Sequence, residues 1–118
     1  MDLLELFRHQ IDFQVVPAGQ VLFKEGEHAE FMYVLLSGTA EIIVRNRVLE
    51  TAAAGAIVGE MAMIDESVRS ATVIAKTDCK FLPIERERFN FFIQKKPEFA
   101  QHVMRVLVDR LRRTDAML

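Results

Sequence analysis

Short runs of strand-forming residues, each closed by a turn signal after a few positions, fill the chain from Phe13 to Ile84. Brief, evenly punctuated strands of this kind belong to sandwiches, barrels and jelly rolls. Phe13 and Val15 alternate with Gln14, and Pro17-Ala18-Gly19 ends that run. Val21–Phe23 follows, then the turn Lys24-Glu25-Gly26-Glu27, where Gly26 is free to take positive φ. Phe31–Leu36 is continuously apolar, which suits a buried strand, and it stops at Ser37-Gly38. Ala40–Val44 and Val48–Thr51 flank a hairpin tip at Arg45-Asn46-Arg47. Ile57-Val58, Ala71–Ala75 and Cys79–Ile84 complete the series. Pro83 has no N–H to give a ladder, so it marks the last run as an edge strand or a strand end.

Helices flank these strands. Leu3, Leu4 and Phe7 make one apolar face within the first ten residues. Arg86–Gln94 is a short amphipathic candidate with Phe89, Phe91 and Phe92, the aromatics reading as core packing. Pro97 then stands where proline is welcome, at a helix start, and no Gly or Pro interrupts the chain from there to Leu118. Ala100, Met104, Leu107, Leu111, Thr114 and Leu118 alternate spacings of four and three, a heptad seam that could pair with the same helix of a second chain. Phe99, Val103 and Val106 form a second stripe suited to packing on the strands. A helix with two stripes needs two partners, so a homodimer through Pro97–Leu118 is expected. The expected fold is mainly β: a jelly-roll-like β-roll over about 11–85, followed by C-terminal helices over 86–118, all in one domain. With 118 residues, roughly two-thirds of the unfolded surface can be hidden on folding.

Composition removes several classes of function. Lys and Arg total 15 against 17 Asp and Glu, a net charge of −2, which does not resemble a dedicated nucleic-acid binder. One cysteine, Cys79, excludes an internal disulfide and a Cys-rich metal site, and it reads as a small core residue. The three histidines, His9, His28 and His102, lack metal-ligand spacing. Met1–Gln10 carries acids and no basic region, unlike a signal peptide. No stretch approaches the ~20 apolar residues of a membrane span. A cytoplasmic location is expected, with no membrane partner.

The chemistry concentrates in residues 59–73, Gly59-Glu60-Met61-Ala62-Met63-Ile64-Asp65-Glu66-Ser67-Val68-Arg69-Ser70-Ala71-Thr72-Val73. A glycine and a carboxylate follow a strand, a short helix-prone piece Met61–Ile64 comes next, and a guanidinium beside a hydroxyl precedes the next strand. A helix start offers free N–H groups to an anion. Arg69 presents a planar fork to two phosphate oxygens, and Ser70 adds a hydroxyl donor. Glu60 supplies acceptors for a sugar hydroxyl. A phosphate fused to a ribose would satisfy both ends.

That spacing, Gly59-Glu60-x-Ala62 with Arg69-Ser70-Ala71 seven residues further on, resembles the phosphate-binding cassette of the cyclic nucleotide-binding domain. Catabolite activator-type regulators and the regulatory subunits of cyclic-AMP-dependent kinase carry it. Pro17 to Glu27 is similar to the family's early strands and turn, and Tyr33 to Ala40 to its tyrosine strand and Ser-Gly corner. The resemblance implies a β-roll that holds cyclic AMP, or possibly cyclic GMP. It implies Arg69 on the cyclic phosphate, Ser70 and the Ala62 N–H as further phosphate donors, and Glu60 on the ribose 2′-hydroxyl. Gly59 would allow close approach of the sugar, with Met61 and Ala71 in the same cassette. Thr114 matches the helix threonine that reaches the purine in bacterial regulators, although the next position, often Ser there, is Asp115.

Simpler structural readings stand beside these. Glu60 and Arg69 could form an ion pair with no ligand. Ser70 could cap a turn, Thr114 could belong to the seam alone, and Glu85 to Arg88 read as a solvated helix start. Arg105, Arg110, Arg112 and Arg113 read as a solvated basic face of the last helix. The expected function is a non-enzymatic cyclic nucleotide sensor that moves its last helix, with Arg86–Gln94 as hinge. The alternatives are a ligand-free dimerisation module of the same fold, or the sensor part of a longer DNA-binding regulator. This chain alone carries no helix-turn-helix and no nucleic-acid role. No Ser/His/Asp set or His-Glu-x-x-His motif points to an enzyme.

Overall fold

The computed structural model describes residues 1–7, 9–65 and 68–117. Two four-stranded antiparallel sheets face each other, and helices cover the outer side of one of them. The first sheet runs β1 (Gln14–Val16), β8 (Cys79–Glu85), β3 (Phe31–Ser37), β6 (Ile57–Val58). The second runs β2 (Val21–Phe23), β7 (Thr72–Ala75), β4 (Ala40–Val44), β5 (Arg47–Ala52). This is the expected β-roll with flanking helices.

Strand β3 shows why an uninterrupted apolar run folds this way. Side chains alternate across a strand. Met32 and Val34 point into the helical layer with Leu82 and Ile84, while Tyr33 and Leu35 point between the sheets with Phe81 and Val73. Both faces are covered, so both must be apolar. The tip at Arg45 and Asn46 has φ of 51° and 64°, the left-handed pair that a tight two-residue hairpin needs.

Pro83 departs from expectation. Strand β8 lies between β1 and β3 and is not an edge. Its ladder to β1 covers Cys79 to Phe81 only, and Pro83 sits beyond it, opposite Tyr33 of β3. The proline is tolerated because the β1 ladder ends before reaching it.

Helix α1 (Leu3–Phe7) buries Leu3 and Phe7, and Asp2 Oδ1 accepts from the Glu5 N–H at 3.2 Å. Helix α2 (Met61–Asp65) buries Ala62 and Met63. Helix α3 (Arg86–Lys95) buries Phe89 and Phe92, but Phe91 is 54% exposed. Phe91 lies off the face shared by its neighbours and is no core residue, a correction to the expected packing. Arg86 is not merely a solvated start either: its Nη2 donates to the Ala62 carbonyl at 2.9 Å, tying α3 to α2.

Helix α4 (Pro97–Ala116) begins at Pro97, and its Phe99 and Val103 stripe is buried with α1, α2, α3 and the first sheet. The heptad seam is divided. Met104 and Leu111 are 57% and 60% exposed, joined by Val108 at 47%, whereas Leu107 packs on the core. Leu118 lies outside the described residues.

Candidate functional site

One cavity of about 240 Å³ opens between the second sheet, α2 and α4. Gly59, Glu60, Met61, Ala62, Arg69, Ser70, Ala71 and Thr114 all line it. Phe23, Ile42, Val44, Leu49, Val58 and Val73 give it apolar walls, and Arg110 and Leu111 come down from α4. A largely apolar cavity with a few convergent polar groups has the make-up of a small-molecule site.

Arg69 follows α2 in a segment without regular structure, yet its main chain is fixed. The Gly26 N–H donates to the Arg69 carbonyl at 2.9 Å, and the Arg69 N–H donates to the Glu27 carbonyl at 2.8 Å. The β2–β3 turn therefore holds Arg69 from both sides. The side chain is 5% exposed, with Cζ 4.0 Å from the centre of the Phe23 ring and 5.8 Å from that of Tyr33. Its Nη1 reaches the Gly59 carbonyl only at 3.4 Å, and its Nε has no partner. No carboxylate forms an ion pair with it among the described residues. Burial pulls its pKa below the ordinary arginine value, against Tyr33, Glu27 and Glu60, whose interactions favour the charged form. A buried guanidinium left short of acceptors, facing a cavity, is built to take an anion.

Gly59 makes this placement possible. Its φ is +78°, and a Cβ there would stand 2.5 Å from Arg69 Nη1. Any larger residue would push the guanidinium aside. Beside it, the Met63 N–H turns back to the Glu60 carbonyl at 3.0 Å, while the Met61 and Ala62 N–H groups that open α2 have no carbonyl one turn back. Ser70 Oγ donates to Met61 Sδ at 3.4 Å, a weak bond that leaves its lone pairs open.

Glu60 is 2% exposed and does not pair with Arg69. Its Oε1 accepts from Arg110 Nη1 at 2.6 Å. Arg110, expected on a solvated face, is 5% exposed, so that expectation holds for Arg105, Arg112 and Arg113 but not here. Its Nε and Nη2 donate to the two oxygens of Glu50 at 3.0 and 3.3 Å, and Nη2 also donates to the Ile57 carbonyl at 2.6 Å. Burial works against the Arg110 charge, but Glu60 and Glu50 outweigh it and raise the pKa. Thr114, one turn on, donates its hydroxyl to the Arg110 carbonyl at 2.9 Å.

Sequence reasoning missed Arg110, Glu50 and the platform under Arg69 formed by Phe23. Arg110 carried a usable signal, since it lies four residues before Thr114 and so on the same helix face. Glu50 carried none, because an acid on a strand beside a hairpin reads as a solvent-facing residue. Among the described residues, no group of His, Cys, Asp and Glu is arranged to hold a metal ion.

The sequence profile of the cyclic nucleotide-binding domain matches residues 13–96. The chain belongs to that family. It is 28% identical over 110 residues to a CRP-like cAMP-activated global transcriptional regulator of Mycobacterium tuberculosis, covering 89% of this chain and 48% of that protein. It is 27% identical over 88 residues to a cAMP-dependent protein kinase regulatory subunit of Eremothecium gossypii, covering 75% of this chain and 19% of that one. The crystal structure of Thermus thermophilus catabolite activator protein superposes with a TM-score of 0.77 at 28% identity, over 89% of this chain and 52% of that one. The cyclic nucleotide-binding domain here thus spans about half the length of those two bacterial regulators.

Proposed function

We propose that this cyclic nucleotide-binding domain takes cyclic AMP in the cavity under α4, as a non-enzymatic sensor, with cyclic GMP as the competing ligand. One observation carries the reading: the under-satisfied, buried guanidinium of Arg69 and the buried carboxylate of Glu60 face the same cavity. The first receives the cyclic phosphate, helped by Ser70 and the Ala62 N–H. The second receives the ribose 2′-hydroxyl, and Gly59 lets the sugar approach. Met61 and Ala71 complete the cassette wall. The base then lies towards Val44, Leu49, Leu111 and Thr114. With its proton given to the Arg110 carbonyl, Thr114 Oγ1 is an acceptor, which suits the exocyclic amine of adenine better than the carbonyl oxygen of guanine.

Output runs through α4. Ligand that binds one arrangement of α4 more tightly shifts its population. The exposed Met104, Val108 and Leu111 support pairing with the same helix of a second copy. No helix among the described residues is long and apolar enough to cross a membrane, and a cytoplasmic location fits the reading. No nucleic-acid contact is assigned to this chain itself.

Thermal shift with cyclic AMP, cyclic GMP and linear AMP tests the proposal. A ligand at 100 times its Kd adds about 2.7 kcal/mol of stability. The expected result is a clear rise with cyclic AMP, a smaller one with cyclic GMP and none with linear AMP. Equal melting in all samples would overturn it.

A further inference from the structure

Glu50 does not line the cavity, yet it grips the residue that organises one wall of it. Its two oxygens take the Nε–Nη2 edge of Arg110 at 3.0 and 3.3 Å, and Arg113 Nη1 stands 3.6 Å from Oε1. Arg110 is left with Nη1 for Glu60, at 2.6 Å to Oε1. The Glu60 carboxylate makes no other hydrogen bond among the described residues, so Oε2 remains an unused acceptor. Two carboxylates thus divide one guanidinium, and the division is unequal: Glu50 takes the paired edge and Glu60 a single donor.

We infer that Glu50 is a positioning residue for recognition of the sugar hydroxyl, acting through Arg110. The inference rests on the cyclic-nucleotide reading above. A guanidinium prefers a carboxylate that it can engage with two parallel bonds. Without the Glu50 charge, that edge turns to Glu60 and engages both of its oxygens. Both Glu60 oxygens then already accept a charged N–H and are turned away from the sugar, which makes them poorer acceptors for the 2′-hydroxyl, although the phosphate slot at Arg69 is untouched. Glu50 therefore sets selectivity for a cyclic nucleotide that carries a 2′-hydroxyl, without touching the ligand.

Calorimetry on the full chain separates this from a structural role. Wild type, Glu50→Gln and Glu50→Asp are each titrated with cyclic AMP and with 2′-deoxy cyclic AMP. A hydrogen bond to a charged acceptor corresponds to about tenfold in affinity or more. Wild type is expected to prefer cyclic AMP by about that factor. In Glu50→Gln the ratio should fall towards one, because cyclic AMP weakens while the 2′-deoxy ligand holds within about twofold. Glu50→Asp keeps the charge on a shorter stem and should lie between. Equal weakening of both ligands, or an unchanged ratio, overturns the inference. If Glu50→Gln is unfolded by circular dichroism, Glu50→Asp decides alone: a reduced ratio supports the inference, and an unchanged one overturns it. A wild-type protein that binds neither nucleotide refutes the cyclic-nucleotide reading itself. One that binds both equally leaves that reading standing and sinks Glu50.

Discussion

Replacing Arg69 by methionine should make the ligand-free protein more stable while sharply weakening its affinity for ligand. Arg69 is 5% exposed, its Nε lacks a partner, and its best acceptor, the Gly59 carbonyl, is 3.4 Å away. Leaving a buried polar group unsatisfied costs about 1–3 kcal/mol, and more for a charge. The Phe23 ring 4.0 Å from Cζ returns about 0.5–2 kcal/mol of that. Water entering the cavity relieves a further part. Methionine retains the apolar stem and its contact with Phe23 but carries no charge, so the net gain is roughly 1 kcal/mol. For a chain of this size that is about 4 °C in Tm. The ligand side moves the other way. Truncating one partner of a buried, hydrogen-bonded charge pair costs about 2–5 kcal/mol, roughly thirtyfold to several-thousandfold in Kd. Urea denaturation without ligand, paired with cyclic AMP calorimetry, checks both signs. A ligand-free Arg69→Met variant that melts at or below wild type would show that the guanidinium is not under-satisfied. Retained affinity would remove Arg69 from the site.

Three further outcomes follow from the same geometry. Gly59→Ala places a Cβ 2.5 Å from Arg69 Nη1 at a φ of +78°, so it should cost about 1–3 kcal/mol in urea denaturation and weaken cyclic AMP; unchanged binding would mean that the slot tolerates a displaced guanidinium. Met104→Lys puts a charge on the exposed seam of α4 and should turn a dimer into a monomer in sedimentation velocity, whereas a wild type that is monomeric at every concentration contradicts pairing through α4. His102 is held below its ordinary pKa of 6.5 by burial, and then by the Met1 ammonium and Arg105. A group with a depressed folded pKa contributes stability above its unfolded pKa that is lost as pH falls. The urea midpoint should therefore drop between pH 7 and 5, and His102→Gln should flatten that drop; an unaltered slope would assign it to other groups.

Local signals made much of this molecule legible. The apolar run at Phe31–Leu36, the turn glycines and Pro97 each report on their own neighbourhood, and each was readable as such. The gathering of Gly59, Glu60, Arg69, Ser70 and Ala71 around one cavity was legible for the same reason, because they lie in one short segment. What escaped depends on distant pairing. Pro83 looks like an edge residue unless the place where the β1 ladder ends is known. Arg110 resembles its exposed neighbours Arg112 and Arg113 until α4 is laid over β5, where Glu50 and Glu60 meet it. Phe91 and Phe92 are chemically alike, and only the docking of α3 tells the covered one from the exposed one.

The two main-chain bonds between Arg69 and the Gly26–Glu27 turn make a surface loop part of the support of the cavity and of the proposed ligand site. Loops at the rim of a β fold ordinarily absorb changes in length without harm. Here the length of residues 24–27 sets the height at which the guanidinium stands above Phe23. Deleting one residue from that turn would leave every residue of the 59–73 segment in place and still misplace the anion slot. Selection for ligand should therefore act on this turn as a measured spacer, its length guarded more closely than its composition.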